Sequence, residues 1–177
     1  MLNLLFQVFL LIVKSVAGFF CVLLLVRFYM QVFRVSFANR FGSFVVQLTN
    51  WLVLPLRKVI PGVFGLDLSS LLPAYLLQVI VLFAAVALQA GPDLPFALIL
   101  IGGLRALLRT SIYLLIGLLI LQAVLSWVNP YSPISRPINQ ITQVFLGPIR
   151  RVVPPIANID LSPLVAILLA QVVLIFI

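Results

Sequence analysis

A proline-bracketed basic pair occurs twice in this chain, and each copy is followed by one aspartate and a long apolar run. The first copy reads Pro55-Leu-Arg-Lys-Val-Ile-Pro61, then Asp67-Leu-Ser-Ser-Leu71. The second reads Pro148-Ile-Arg-Arg-Val-Val-Pro154, then Asp160-Leu-Ser-Pro-Leu164. A fixed internal period restricts the architecture more than any single segment does, so this motif predicts two copies of one structural unit.

The similarity between the two copies extends well beyond the motif. Without gaps, residues 45–84 align with residues 138–177 and are identical at about a third of the positions. We therefore predict two repeats, residues 1–90 and 91–177. A chain of 177 residues has the size of one domain, so we expect the repeats to form one integrated bundle.

The composition is that of an integral membrane protein. Hydrophobic residues make up 64% of the chain and charged residues 8%, whereas soluble domains are about a quarter charged. A soluble fold of this length could not cover so much apolar surface. We predict an all-α membrane protein with about four transmembrane helices, built as two parallel repeats.

The inventory of reactive side chains argues against an enzyme. The chain has no histidine, one cysteine (Cys21) and three acids (Asp67, Asp93 and Asp160). Serine- or cysteine-based nucleophilic catalysis would lack its base, and a zinc site would lack its usual ligands. We predict no catalytic residues, no metal and no cofactor. The net charge of +8 is spread along the chain without interleaved aromatic residues, so no contact with nucleic acid is expected either.

Four apolar segments are candidates for crossing the membrane. They are residues 4–33, 68–89, 110–128 and 162–177. Residues 96–109 could extend the third span or lie in the interface. We expect Ser162 to be the N-cap of the last helix.

Two shorter segments have the pattern of amphipathic helices. In Phe41–Leu54, polar side chains recur on one face and apolar ones on another, and the second copy repeats the polar stripe. The polar stripes consist of Ser43, Gln47 and Asn50, and of Arg136, Gln140 and Gln143. Fourteen residues are too few to span, so we predict in-plane helices at the interface, which end in turns at the prolines.

The distribution of basic residues predicts the orientation. The two amphipathic loops contain seven basic residues and the opposite side contains three, with Arg27 set aside. The positive-inside rule then places the amphipathic loops in the cytoplasm and both termini outside. Both repeats would have the same orientation.

The doubled motif resembles the YggT family, which includes the YlmG-type proteins of bacteria and plastids. The similarity covers residues 20–177, and Lys58 stands where the family prefers arginine. It implies a multi-pass protein of the bacterial inner membrane or a plastid membrane. It also implies a connection with osmotic stress and potassium homeostasis, with cell division, or with cofactor assembly in plastids, without a defined activity.

Nine residues are candidates for a functional role. The basic pairs Arg57–Lys58 and Arg150–Arg151 could bind anionic lipid headgroups or a partner, or could only fix the topology. Asp67 and Asp160 are expected to form structural ion pairs with them. The intramembrane polar residues are Arg27, Gln78 and Gln171. We expect Arg27, like Lys14, to extend toward an interface, and the glutamines to bond between helices or to line a polar path.

Two functions from different classes remain open. The first is a non-enzymatic scaffold or assembly factor that binds other envelope membrane proteins in stress response, division or membrane-protein maturation. The alternative is an oligomeric channel or transport component for potassium under osmotic stress. A homo-oligomer is compatible with both.

Overall fold

Six α-helices make up the described part of the protein. The computed structural model describes residues 2–60, 67–90, 96–129, 131–153 and 160–177, and for residues 2–6 and 88–90 it describes the backbone only. The helices are α1 (Leu2–Val32), α2 (Arg40–Val59), α3 (Leu68–Ala90), α4 (Phe96–Val128), α5 (Ser135–Val152) and α6 (Ser162–Phe176). The turns predicted at Pro61, Pro154 and Gly91–Pro95 lie outside the described residues.

Three of the helices are long and apolar enough to cross a membrane. The segments that qualify are Gln7–Val32, Leu68–Ala87 and Phe96–Val128. Helix α6 is apolar but has 15 residues, or about 22 Å of helix, against a hydrocarbon core about 30 Å thick. The all-helical class is therefore confirmed. Three described helices have the length for a span, where the sequence predicted about four.

Residues 96–109 belong to the same helix as residues 110–128, which answers one open question. Helix α4 is continuous over 33 residues. It approaches α3 closely, since a Cβ atom built on Gly103 would lie 2.5 Å from Val79 Cγ2 and 3.3 Å from Val79 Cα. Only a residue without a side chain allows this separation of the two helices.

The prediction that the chain turns at Pro55 and Pro148 is wrong. Helix α2 continues through Pro55 to Val59, and α5 continues through Pro148 to Val152. Each proline removes one N–H donor and leaves a carbonyl one turn earlier without its helical partner. Both prolines are exposed on the helix surface, where such a carbonyl can be solvated. The basic pairs consequently lie in the last helical turns instead of in loops.

The helices form two similar sets of three, with α1 and α4 at the centre. Helix α1 packs against α2 and α3, α4 packs against α5 and α6, and α3 joins the sets by packing against α4. One core cluster combines Leu23 and Met30 of α1 with Val45 of α2, Leu118 of α4 and Ile141 of α5. The two in-plane candidates, α2 and α5, thus share a core with both central helices.

Candidate functional site: two ion-paired helix junctions

An ion pair joins the end of α2 to the start of α3. Arg57 Nη2 lies 2.8 Å from Asp67 Oδ2, and the Ser70 hydroxyl donates to the same oxygen at 2.8 Å. Asp67 is 2% exposed, whereas the Arg57 side chain is 46% exposed. The backbone carbonyl of Asp67 also accepts the N–H groups of Ser70 and Leu71 in the first turn of α3. Asp67 therefore organises this helix start from both its side chain and its backbone.

The end of α5 is joined to α6 in the same way. Arg150 donates to Asp160 Oδ2 from Nη2 at 2.7 Å and from Nε at 2.9 Å. Asp160 Oδ1 accepts the backbone N–H of Ser162 at 2.9 Å. Ser162 is the first residue of α6, and its side chain does not cap the helix. The N-cap assignment to Ser162 is therefore corrected, because the aspartate carboxylate receives the helix N–H.

The environment of Asp160 stabilises its charged form. Partial burial raises the pKa of this carboxyl, but the interactions with Ser162 and Arg150 lower it more, so the pKa lies below its ordinary value. The Asp160 side chain is 41% exposed. Unlike Asp67, it remains accessible to water and to solutes.

The second basic residue of each pair has a different position. Asp67 pairs with Arg57 and Asp160 pairs with Arg150, while Lys58 and Arg151 are exposed at the helix ends. The structure thus brings together one basic residue and one aspartate in each motif. It leaves the neighbouring Lys58 and Arg151 directed to the surroundings of the protein.

Arg27 does not extend to an interface as the sequence analysis expected. Its side chain is 4% exposed, and Nη1 donates to Thr49 Oγ1 at 2.7 Å and to Asn50 Oδ1 at 3.0 Å. Both acceptors belong to α2, which covers this part of α1. Close by, Arg57 Nη2 also donates to Gln31 Oε1 at 3.2 Å. Arg27 therefore links α1 to α2 by hydrogen bonds, close to the ion pair of Arg57 and Asp67.

The two intramembrane glutamines have different surroundings. Gln78 of α3 donates to Thr110 Oγ1 of α4 at 3.1 Å and to Cys21 Sγ of α1 at 3.2 Å, so its amide connects three helices. Gln171 is exposed on α6. The expectation of a hydrogen bond between helices therefore describes Gln78, whereas the described surroundings of Gln171 give it no such role.

Several polar residues of these junctions were not singled out from the sequence. Thr49 accepts a hydrogen bond from Arg27, Gln31 accepts one from Arg57, and Ser70 donates one to Asp67. Thr49 is identical in the second repeat, as Thr142, and this identity could have indicated its role. Gln31 lies outside the segments of the two repeats that align, so there was no such indication for it. Among the described residues, no group of three histidine, cysteine or acidic side chains could hold a metal ion.

Comparisons with known proteins assign the family. The family model described as CCB3/YggT matches residues 6–88 and 101–177, which is most of the chain. The chain belongs to the CCB3/YggT family. It is 38% identical over 166 residues to a protein of Escherichia coli K12 named uncharacterized protein YggT, with 92% of this chain and 85% of that protein covered.

Other relatives in this family are similar over comparable lengths. An uncharacterized protein from the proC 3' region of Vibrio alginolyticus is 33% identical over 156 residues, with 87% of this chain and 84% of the relative covered. An uncharacterized protein of Pseudomonas aeruginosa is 32% identical over 160 residues, with 89% and 81% covered. No solved structure is significantly similar to this chain. The comparisons thus establish the family of this chain, and the names of these relatives state no activity.

Proposed function

We propose that this protein is a non-enzymatic scaffold or assembly factor of the bacterial inner membrane, which binds acidic segments of other envelope proteins. The observation that carries the proposal is the doubled junction. Arg57–Asp67 and Arg150–Asp160 fix the ends of α2 and α5 at 2.8 and 2.7 Å, while Lys58 and Arg151 remain exposed beside them. A fixed helix end that presents an exposed cation is suited to recognising a carboxylate on a partner.

The surface of α2 supports a position in the plane of the interface. Its buried face contains Val45, Thr49 and Val53, whereas Phe44 and Trp51 are 50% and 65% exposed. The exposed aromatic side chains suit contact with lipid, and the exposed Ser43 and Gln47 of the polar stripe suit contact with water, whereas Asn50 is half-buried and bonded to Arg27. Helix α5 has the same place in the second set of helices, so both basic ends would lie at one face.

The excess of basic residues in and next to α2 and α5 supports the cytoplasmic side for this face. In that arrangement the protein would present two equivalent docking positions to cytoplasmic segments of neighbouring membrane proteins. Such a role in stress response, division or membrane-protein maturation agrees with the connection with osmotic stress and cell division that the family resemblance implies.

The test compares two double variants by quantitative crosslinking in native membranes. Lys58→Gln with Arg151→Gln removes the two exposed cations and leaves both ion pairs in place. We expect this variant to lose most of the partner proteins that crosslink to the unmodified chain. Arg105→Gln with Arg109→Gln removes the same charge from exposed positions on α4 and should retain those partners. If both variants retain the same partners in equal yield, the basic ends are not docking positions.

A second candidate, an oligomeric channel or transport component for potassium, rests on the exposed Gln171. An amide on the surface of an apolar helix is costly in lipid, so it favours a contact with another subunit. Arg27 and Gln78 support this candidate less, because both are engaged in hydrogen bonds between helices. If the protein has this function, potassium-loaded liposomes that contain it should release potassium faster than potassium-loaded liposomes without protein. Equal rates would reject this function.

A further inference from the structure

A polar pocket of about 250 Å³ lies between the C-terminal turns of α4 and the length of α5. Gln122 and Ser126 line it from α4, and Asn139, Gln143 and Arg150 line it from α5. Among the described residues, this lining provides amides, hydroxyls and one guanidinium but no carboxylate. The charge of Arg150 is offset by its partner Asp160, so the pocket is characterised by its hydrogen-bond donors, and such donors suit the oxygens of a phosphate.

Arg150 retains donors for a ligand although it pairs with Asp160. A guanidinium has five N–H groups, and the contacts to the aspartate are made from Nε and Nη2. The Nη1 edge is not used in that pair. The ion pair thus fixes the arginine in the pocket wall without consuming its capacity to bind a phosphate.

An apolar groove of about 570 Å³ continues from this pocket between α4 and α6. The two cavities share Gln122, Ser126 and Arg150 in their walls. The groove wall also contains Asp160, which is paired with Arg150, and farther along it has the apolar side chains of Ile120, Val124, Leu164 and Ile167. A donor-rich polar compartment that opens into a largely apolar groove matches a ligand with a phosphate head and a hydrocarbon tail.

From this continuity we infer that the second half of the protein binds one phospholipid through its phosphate. Its phosphate lies in the pocket beside Arg150, and one acyl chain lies in the groove between α4 and α6. The pocket is at the end of α4 next to the interface helix α5, which is the depth at which headgroups lie in a membrane. The inference adds a ligand site to the proposed scaffold and does not depend on a protein partner.

The first half of the protein closes the corresponding space with its own side chains. Arg27 donates to Asn50, which aligns with Gln143, and Gln31 accepts from Arg57, which aligns with Arg150. In the first half, side chains of α1 thus bond directly to the residues that align with the pocket residues Gln143 and Arg150, so the lipid site is specific to the second half.

Gln122 also has unused hydrogen-bonding capacity at this site. Its Oε1 atom has less than 1 Å² of accessible surface and no hydrogen-bond partner among the residues that the structure describes. Burying an amide oxygen without a partner is unfavourable, because the oxygen loses water and gains nothing in return. A rotation of this side chain toward the pocket would pair it with a glycerol or headgroup hydroxyl.

The test measures lipid binding to delipidated protein in detergent by native mass spectrometry, with phosphatidylglycerol and a diacylglycerol with the same acyl chains as probes. We expect one phosphatidylglycerol to bind about tenfold more tightly than the diacylglycerol, which lacks the phosphate, because one charge-assisted hydrogen bond to Arg150 produces a difference of this size. Ser126→Leu narrows both cavities and should weaken phosphatidylglycerol binding about tenfold as well. Asn139→Leu, a change at an exposed position of α5, should weaken it in the same direction and serves if the first variant does not fold.

The matched control is Ser15→Leu, the same change at an exposed position of α1, which should leave binding unchanged. Free glycerol phosphate at the same concentration as the lipid should not compete, because it lacks the acyl chain. Equal binding of the two lipids, unchanged binding to both pocket variants, or effective competition by glycerol phosphate would each overturn the inference. The last result would identify a soluble anion as the ligand.

Discussion

Asp67 and Asp160 form the same kind of ion pair but differ in burial, and this difference sets what each contributes. Asp67 is 2% exposed and accepts from Arg57 and Ser70, whereas the Asp160 side chain is 41% exposed. Exposed ion pairs contribute about 0–1 kcal/mol. Removing a buried acceptor, so that its hydrogen-bond donors are left unpaired, costs about 1–3 kcal/mol. We therefore expect Asp67→Asn to lower thermal stability in detergent more than Asp160→Asn does, and equal losses would contradict this account.

The stability that Asp160 contributes should depend on pH. Because the folded state lowers the pKa of this carboxyl, the contribution is complete above the pKa of the unfolded chain. It disappears as the pH falls through the lower, folded-state pKa. The melting temperatures of the unmodified protein and Asp160→Asn should thus differ at neutral pH and converge in strong acid.

Arg150→Gln combined with Asp160→Asn should lower the stability no more than either change alone does, because each change breaks the same ion pair. Additive losses of stability would show that the two residues act independently.

Gln78 and Gln171 provide a second comparison at this scale. Gln78 donates to Thr110 and Cys21 across three helices, while Gln171 is exposed on α6. Gln78→Leu should destabilise the protein by about 0.6–2 kcal/mol, the range for hydrogen bonds between membrane helices. Gln171→Leu in the monomer should not. Unfolding in denaturant distinguishes the two, and equal effects would mean that the hydrogen bonds of Gln78 contribute nothing measurable.

Among the elements, the contact between α3 and α4 joins the two halves of the protein, and it depends on a glycine. Adding a Cβ atom to Gly103 would place it 2.5 Å from Val79 Cγ2 and 3.3 Å from the Val79 backbone. Gly103→Ala should therefore push the helices apart and destabilise the protein by about 1–3 kcal/mol. Gly117 of the same helix has nothing within 4 Å of such an atom, so Gly117→Ala should stabilise by about 0.5–1 kcal/mol. A stabilising effect of both changes in thermal unfolding would show that the contact is not tight.

The sequence predicted elements better than the contacts between them. Apolar runs located the long helices, and the fixed spacing of ten residues placed Arg57 near Asp67. The predicted end of α2 was wrong because the helix continues through Pro55. A proline at an exposed position leaves a carbonyl without its helical partner, but water can hydrogen-bond to it, and hydrophobic periodicity does not show whether this is the case. The partners of Arg27 were missed because hydropathy does not show which helix covers which. The close approach at Gly103 likewise depends on the packing of two helices that are distant in sequence.

At the scale of the whole molecule, the two sets of three helices resemble each other but are not equivalent. In each set an in-plane candidate ends in an ion pair with the start of an apolar helix. The first set is closed by Arg27 and has a 23-residue apolar helix, whereas the second contains the polar pocket and has a 15-residue one. The first set therefore has the features of a structural anchor. The second has the open space and the donor-rich lining that the proposed lipid site requires.

The relative orientation of the two halves can be tested directly. If the repeats are parallel, the ends of α2 and α5 lie on the same side of the membrane, and the seven basic residues around them place that side in the cytoplasm. Cys21 is fully buried, so Cys21→Ser gives a background for single cysteines at Lys58, Arg151 and Asp93. In spheroplasts, an impermeant maleimide should label the cysteine at Asp93 only. The cysteines at Lys58 and Arg151 should react alike once the membranes are opened. Labelling of Lys58 and Arg151 from opposite sides would instead require an inverted repeat, in which the two basic ends could not form one docking face.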